Sequence, residues 1–235
     1  MTEYPAQAEA KPLQEGALLL AIDTCGSQGS AALGRLAGDA VTLLGQIELE
    51  GRSYSATLIA AVGKLLASAG AELRSVAAIV VVNGPGSFTG VRVGLSAAKG
   101  MAEAAGLPLV ALSRLEVMAA KAGLSAAVLD AHRHEVFLLV TVDGERRELL
   151  AGRAELPELP APARIAVCDS SAAALVYAAW PSVELEMIAP PAASDALPLG
   201  LARLKNGLLD DVAKIDGHYL RRSDAEIFGE KQAAK

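Results

Sequence analysis

The histidines and cysteines are the first side chains of this sequence to consider as ligands of a metal ion. His132 and His134 lie two positions apart and could point to one face of an extended segment, but His218 is remote from both. Zinc needs three or four protein ligands, and the sequence contains no His-x-x-x-His pair. Cys25 and Cys168 are far apart and form no Cys-x-x-Cys motif. We therefore predict neither a metal site nor a disulfide framework.

Aspartates close two of the predicted strands. Asp23 ends the first apolar run of the chain, and Asp130 ends a later one. Asp23 could bind backbone amides in a turn, or it could face the phosphate site of a nucleotide-binding lobe, while a structural polar cluster is favoured for Asp130. Ser87 stands in no Gly-x-Ser-x-Gly elbow, and no neighbour in the sequence activates the Cys25 thiol. We predict no catalytic residue and no cofactor.

A glycine loop is the most distinctive stretch of the chain. The β-branched run from Ile79 to Val82 predicts a buried strand before it, and a helix is predicted after it. The predicted structural loop comprises Gly84, Pro85, Gly86, Ser87, Thr89 and Gly90. Glycine and proline together indicate a tight turn, and either hydroxyl residue could cap the helix.

The loop does not match the common phosphate-binding motifs. A P-loop requires Lys and then Ser or Thr after its last glycine, whereas Val91 and Arg92 follow Gly90. The G-x-G-x-x-G motif fails too, because Thr89 occupies the position of its third glycine. The free amides of the helix N-terminus could still bind an anion.

Small residues recur along the helix at three- and four-residue spacing, which places them on one face. They are Gly90, Gly94, Ala97 and Ala98. Because glycine costs a helix roughly 0.5–1 kcal/mol relative to alanine, this face needs a packing reason. Two remain open: close packing onto the chain's own sheet, or contact with a second protein.

Composition narrows the class of protein. The 235 residues are 52% apolar but only 3% aromatic, and the net charge is −6. Few aromatics argue against stacking on single-stranded nucleic acid, and an acidic chain neutralises phosphates poorly. No apolar run approaches the length of a transmembrane helix, and Met1 to Glu15 lacks the pattern of a signal peptide. We expect a cytoplasmic protein that reaches nucleic acid through partners.

The periodicity predicts an α/β protein of two lobes, each opening with three strands and each with an aspartate at the end of its first strand. Predicted strands cover 17–24, 30–36, 40–49, 75–83, 109–112, 124–130, 135–142, 146–150 and 163–168. Predicted helices cover 53–69, the segment after the loop to 105, 113–121, 172–179 and 194–205. The predicted division is a disordered leader (1–16), a first lobe (17–121), a smaller second lobe (122–212) and a surface-docking tail (213–235).

Four stretches closely resemble the bacterial TsaB family of tRNA threonylcarbamoyladenosine biosynthesis. They are A-I-D-T at 21–24, the loop and helix at 83–100, L-D-A-H-R-H-E-V-F at 129–137 and Y-L-R-R-S-D-A-E at 219–226. The resemblance spans roughly residues 17–226 and implies an actin-like (ASKHA, ribonuclease H-like) duplicated fold of two lobes. The family usually has His in place of Tyr54, and often Pro in place of His218.

The resemblance also implies a function. Such proteins are non-catalytic subunits of the complex that forms N6-threonylcarbamoyladenosine at position 37 of tRNAs reading codons that begin with A. They pair with the catalytic subunit TsaD as a heterodimer, work with the ATPase TsaE, and are possible homodimers when alone. The catalytic relative carries a His-x-x-x-His metal pair, whereas the segment from Ser53 to Leu58 has no histidine.

In this family, helices of the first lobe pair with their equivalents in the partner, which favours the partner-contact interpretation of the small face. The predicted partner interface is Leu58, Val62, Gly90, Gly94, Ala97, Ala98 and Met101. On this basis Gly94→Leu should leave the protein folded but abolish partner binding. The alternatives are a stand-alone actin-like ATPase or sugar-type kinase, and a metallopeptidase, although 163–193 holds no second glycine-rich motif and the metal-binding histidines are missing.

Overall fold

The computed structural model describes residues 13–50 and 53–221, so most of the predicted leader and the end of the predicted tail lie outside the described residues. The strands are β1 (Leu18–Asp23), β2 (Gln28–Ala37), β3 (Ala40–Glu50), β4 (Val76–Val82), β5 (Leu109–Leu112), β6 (Ala127–Asp130), β7 (Glu135–Val142), β8 (Glu145–Gly152), β9 (Arg164–Val167) and β10 (Glu184–Met187). The helices are α1 (Tyr54–Ser68), α2 (Phe88–Ala105), α3 (Arg114–Ala122), α4 (Ser170–Ala179) and α5 (Ala193–Lys205).

The first lobe is built on a sheet with the strand order β3-β2-β1-β4-β5. β1 runs antiparallel to β2 and parallel to β4, and β4 runs parallel to β5. All six residues of β1 are buried, because α1 and α2 cover one face of the sheet and α5 covers the other. Because β1 and β4 are covered on both faces, their sequences are continuous apolar runs.

The second lobe repeats this topology. Its sheet has the order β8-β7-β6-β9-β10, with β6 antiparallel to β7 and parallel to β9. Strands β6 to β10 therefore occupy the same positions in the second sheet as β1 to β5 occupy in the first. The predicted duplicated α/β fold is confirmed. β10 was not predicted, because its four residues are two glutamates, a leucine and an exposed methionine at the sheet edge.

Helix α5 follows the second sheet in the chain but packs against the first. Leu197, Leu201 and Leu204 join the cluster that includes Leu19 and Val80. This placement differs from the predicted boundaries, which assigned residues 122–212 to the second lobe. The physical reason is that α1 and α2 cover only one face of the first sheet, and burying the apolar residues of its other face is strongly favourable.

The segment after α5 returns to the edge of the first sheet and then reaches the second lobe. We call residues 210–221 the C-terminal strap. Asp210 forms a β-bridge with Leu109 and accepts a hydrogen bond from Ala111 N at 2.7 Å. The later residues of the strap reach the cluster formed by α3, β6 and β7, where Leu220 packs. Within the described residues, no helix is long and apolar enough to cross a membrane.

Candidate functional site between the lobes

The glycine loop is held against the end of β1. Ser87 N donates a hydrogen bond to Cys25 O at 2.7 Å, and Arg114 N donates one to Gly84 O at 2.6 Å. Gly84 has φ of +114°, which favours glycine. The Ser87 hydroxyl accepts a hydrogen bond from Gly90 N at 3.3 Å, so Ser87, of the two candidates, is the N-cap of α2.

Helix α2 lies directly on Thr24, the residue after β1. The Thr24 hydroxyl donates a hydrogen bond to Gly90 O at 2.7 Å. A Cβ atom at Gly90 would collide with the Thr24 carbonyl oxygen, and one at Gly94 would collide with the Thr24 hydroxyl. Packing within the chain therefore accounts for both glycines. A leucine side chain at Gly94 has no room unless Thr24 moves, so we now expect Gly94→Leu to destabilise the fold, whereas the sequence predicted no effect on folding.

The predicted interface residues mostly face inward. Leu58, Val62, Gly90, Gly94, Ala98 and Met101 are buried in the first lobe, and Ala97 is half-buried. Their side chains contact the chain's own core, so they are not available to a partner in this conformation. The outward surface of the same two helices instead presents Ile59, which is 55% exposed, together with Gly63, Ser96 and Gly100. Partner contact by these helices stays a prediction.

A buried polar cluster lies where β1 meets α3. Asp23 is 1% exposed and Arg114 is 7% exposed, with 3.5 Å between Asp23 Oδ2 and Arg114 Nε. The other oxygen of Asp23 accepts a hydrogen bond from Cys25 N at 2.8 Å, as expected for a turn former. The Tyr54 hydroxyl donates to Gly26 O at 2.9 Å. Arg114 was not predicted, since an arginine at a helix start carries no sequence signal of burial.

Burial keeps the Cys25 thiol and the Tyr54 hydroxyl, which lie near the Asp23–Arg114 pair, in their neutral forms. It raises the pKa of the Cys25 thiol well above its usual value, and the charge of Asp23 raises it further. The same two causes raise the pKa of Tyr54 to about 12. The Cys25 Sγ donates to Val82 O at 3.1 Å. Because the thiolate is the reactive form of cysteine, this environment disfavours reaction at Cys25.

A cleft of about 1120 Å³ separates the two lobes. Its walls include the glycine loop and Arg114 from the first lobe, Asp130 and Asp169 from the second, and the end of the strap. Asp169 caps α4 through Ala172 N and accepts a hydrogen bond from Asp130 N at 3.2 Å. Asp130 contributes its backbone amide to this contact, whereas its carboxylate accepts a hydrogen bond from His132 N at 2.8 Å in the turn after β6.

Two of the three histidines, His132 and His218, line this cleft, whereas His134 does not. His132, with 85% of its side chain exposed, contacts Asp130 at 3.1 Å, whereas His218 contacts Glu148 at 2.8 Å. His132, Arg133 and His134 all have positive φ between 55° and 63°, and form the turn between β6 and β7. Among the described residues, no group of three or more His, Cys, Asp or Glu side chains could hold a metal ion.

Comparison with known proteins agrees with this architecture. The TsaD family, described as tRNA N6-adenosine threonylcarbamoyltransferase, matches residues 47–167, just over half of the chain and including the glycine loop and α2. The structure of YeaZ from Pseudomonas aeruginosa superposes with a TM-score of 0.67 at 25% identity, covering 87% of this chain and 100% of that one. The chain is a TsaB/YeaZ-type member of this family.

Two further relatives of this TsaB/YeaZ-type protein show how far the likeness extends. An uncharacterised protein of Mycobacterium tuberculosis strain H37Rv is 32% identical over 209 residues, which cover 88% of this chain and 93% of that one. The tRNA threonylcarbamoyladenosine biosynthesis protein TsaB of Escherichia coli K12 is 35% identical over 125 residues, covering 51% of this chain and 52% of that one. The actin-like duplicated fold of the TsaB/YeaZ-type proteins is thus shared by this chain.

Proposed function

We propose that this protein is a non-catalytic subunit of the complex that makes N6-threonylcarbamoyladenosine at position 37 of tRNAs reading codons that begin with A. It serves as partner and scaffold for the catalytic subunit TsaD in a cytoplasmic heterodimer, which works with the ATPase TsaE and contacts tRNA as a complex. The observation that carries the proposal is the TsaB/YeaZ-type match, which includes a relative named for this biosynthesis.

The chemistry of the cleft supports a scaffold role. Asp23 Oδ1 accepts a hydrogen bond from a backbone amide, and Oδ2 forms an ion pair with Arg114 at 3.5 Å without a hydrogen bond. The Cys25 thiol is neutral and bonded to a carbonyl oxygen. These groups bind one another and connect β1, the glycine loop and α3. They fix the end of β1 against β4 and α3, and so order the first-lobe wall of the cleft.

The outer surface of α1 and α2 is the proposed partner surface. Both helices pack on the first sheet through their inward residues, which leaves an outward strip of small side chains around the exposed Ile59. Gly100 has nothing within 4 Å of the position of a Cβ atom. Ile59 and Phe88 are the large apolar side chains that α1 and α2 expose, and the small exposed residues of these helices leave room for close contact with a second helix pair.

Reconstitution tests the proposed function. Purified chain, TsaD and TsaE from the same organism would be incubated with tRNA, ATP, threonine and bicarbonate, together with the enzyme that makes the threonylcarbamoyl donor. The modified nucleoside would be measured by mass spectrometry of digested tRNA. We expect modification only when the chain and TsaD are both present. Full modification without the chain, or turnover by the chain alone, would contradict the proposal.

Ile59→Asp tests the proposed surface. A charge at the centre of an apolar contact should weaken TsaD binding at least about fivefold, which corresponds to a contact residue worth about 1 kcal/mol or more. Tyr177→Asp is the matched control, because Tyr177 is 63% exposed on α4 of the other lobe. Titration calorimetry with TsaD would measure both. Equal affinities for the two variants would exclude this surface.

A stand-alone actin-like ATPase or sugar-type kinase is the second candidate function, and the cleft between the lobes is the observation in its favour. Tight ATP binding by the isolated chain in calorimetry would support it. Rescue of a modification defect in cells only when TsaD is also present would support the scaffold role.

A further inference from the structure

The C-terminal strap is attached to the first lobe through its backbone. His218 N donates a hydrogen bond to Asn83 O at 2.7 Å, and the Asn83 side chain donates to Asp216 O at 3.2 Å. Lys99 of α2 donates to Ile215 O at 2.9 Å. The carbonyl oxygen of His218 also lies 2.9 Å from the position that a Cβ atom at Gly84 would occupy. The strap therefore follows the glycine loop closely.

The same segment is attached to the second lobe through its side chains. His218 Nε2 lies 2.8 Å from Glu148 Oε2 on β8. Arg221 forms an ion pair with Glu135 at the start of β7, and Leu220 packs into the cluster of α3, β6 and β7. Residues 218–221 also line the cleft, so the strap joins the two lobes along one wall of it.

His218 is the residue where the two attachments meet, since its amide bonds the first lobe and its ring bonds the second. We propose that the His218–Glu148 contact is a proton-sensitive clamp that controls how far the cleft between the lobes opens. The proposal does not depend on the function suggested above. The ion pair of Arg221 with Glu135 attaches the end of the strap to the second lobe beside the clamp.

The charges that face His218 favour its protonated form. Glu148 is its direct partner, and the charge of Glu116 on α3 adds a smaller attraction. Glu116 is itself paired with Arg203 at 2.8 Å. On the strap, the charged neighbours of His218 are Asp216 and Arg221, and Arg221 is engaged with the second lobe.

The direction of the pH dependence follows from this arrangement. The hydrogen bond to Glu148 raises the pKa of His218 above its usual value, against a smaller opposing effect of burial. A raised pKa in the folded state means that the clamp contributes fully below the unfolded-state pKa of about 6.5. Its contribution is lost as the pH rises through the folded-state pKa. The cleft should therefore be tighter in mildly acidic solution.

Cys168 provides a reporter inside the cleft. It lines the cleft and is half-buried, whereas Cys25 is buried. The rate of Cys168 alkylation by iodoacetamide can be followed by peptide mass spectrometry in the full chain. The ratio of the rate in Glu148→Gln to that in the wild type would be measured at about pH 6 and about pH 9, on either side of the histidine titration. The thiolate fraction of Cys168 largely cancels in this ratio.

We expect the ratio to be roughly two- to fivefold at the lower pH, the range for a partly exposed ion pair, and to approach one at the higher pH. Glu145→Gln on the same strand is the matched control, because Glu145 is exposed and pairs with Arg147; its ratio should be one at both pH values. His218→Gln also lacks the clamp. The ratio of its Cys168 alkylation rate to that of Glu148→Gln should therefore be the same at both pH values. A Glu148→Gln ratio of one throughout, or an equally raised ratio at both pH values, would overturn the clamp.

Discussion

Thr24 is the residue on which the glycine loop and α2 converge. Its hydroxyl bonds the carbonyl of Gly90, and its atoms fill the space that side chains at Gly90 and Gly94 would need. The sequence indicated that this helix needed a packing reason, and left two open. It could not decide between them, because residue spacing shows that small side chains share a face but not what that face contacts.

Substitution of Gly94 measures the Thr24 contact. Gly94→Leu should lower the free energy of unfolding by about 1–3 kcal/mol or more, because overpacking forces neighbours to move. Gly100→Leu on the same helix is the control, since Gly100 faces open space and leucine favours a helix by about 0.5–1 kcal/mol over glycine. Urea unfolding would measure both. Similar stabilities for the two variants would contradict the packing described.

The Asp23–Arg114 pair gives a second prediction at this scale. Asp23→Asn should destabilise the fold by about 3–5 kcal/mol, because it leaves the buried Arg114 charge without its partner. Asp39→Asn is the control, since Asp39 pairs with Lys205 but is fully exposed. Thermal unfolding should show a large fall in Tm for the first variant and almost none for the second. Comparable shifts would argue that Arg114 finds another partner.

At the scale of elements, most strands and helices could be predicted from the sequence because their patterns are strong. β1 and β4 are unbroken apolar runs, and α2 is marked by its loop and cap. β10 could not be predicted, because a four-residue edge strand carries little apolar signal. The position of α5 could not be predicted either. An amphipathic helix shows that it has an apolar face, but its sequence does not identify the sheet that covers that face.

Leu197→Ala tests where α5 belongs. Leu197 is 2% exposed and packs among residues of the first sheet, so the cavity left behind should cost about 2–5 kcal/mol. Hydrogen exchange should accelerate in β1 and β4 rather than in β6 and β9. Leu208→Ala is the control, because Leu208 is 58% exposed. Faster exchange confined to the second sheet would contradict the assignment.

At the scale of the whole molecule, the two lobes share one sheet topology, but only the second sheet is formed by a continuous stretch of chain and the first lobe is completed by a distant segment. The second sheet is formed by one continuous stretch of chain, from β6 to β10. The first lobe is discontinuous, because it is completed by α5 and edged by the strap. The sequence indicated the duplication, but the exchange of α5 between the halves depends on long-range packing that local patterns do not report.

A fragment ending at residue 121 tests this dependence. It contains every strand of the first sheet but lacks α5, so it exposes the apolar face formed by Leu19, Val80 and Leu112. We expect it to aggregate in size-exclusion chromatography and to bind a hydrophobic dye. Adding a peptide of residues 190–209 should reduce both effects, whereas a scrambled peptide should not. A soluble, monomeric fragment with low dye binding would show that α5 is dispensable.

The late position of α5 also bears on the order of events during translation. Domains usually acquire structure from the N-terminus as the ribosome releases them. Here one face of the first sheet stays uncovered until about residue 205 has left the exit tunnel, because α5 covers that face. The second sheet is complete at β10, before that point, and can fold first. Nascent chains stalled before that point are therefore expected to recruit chaperones to the earlier half.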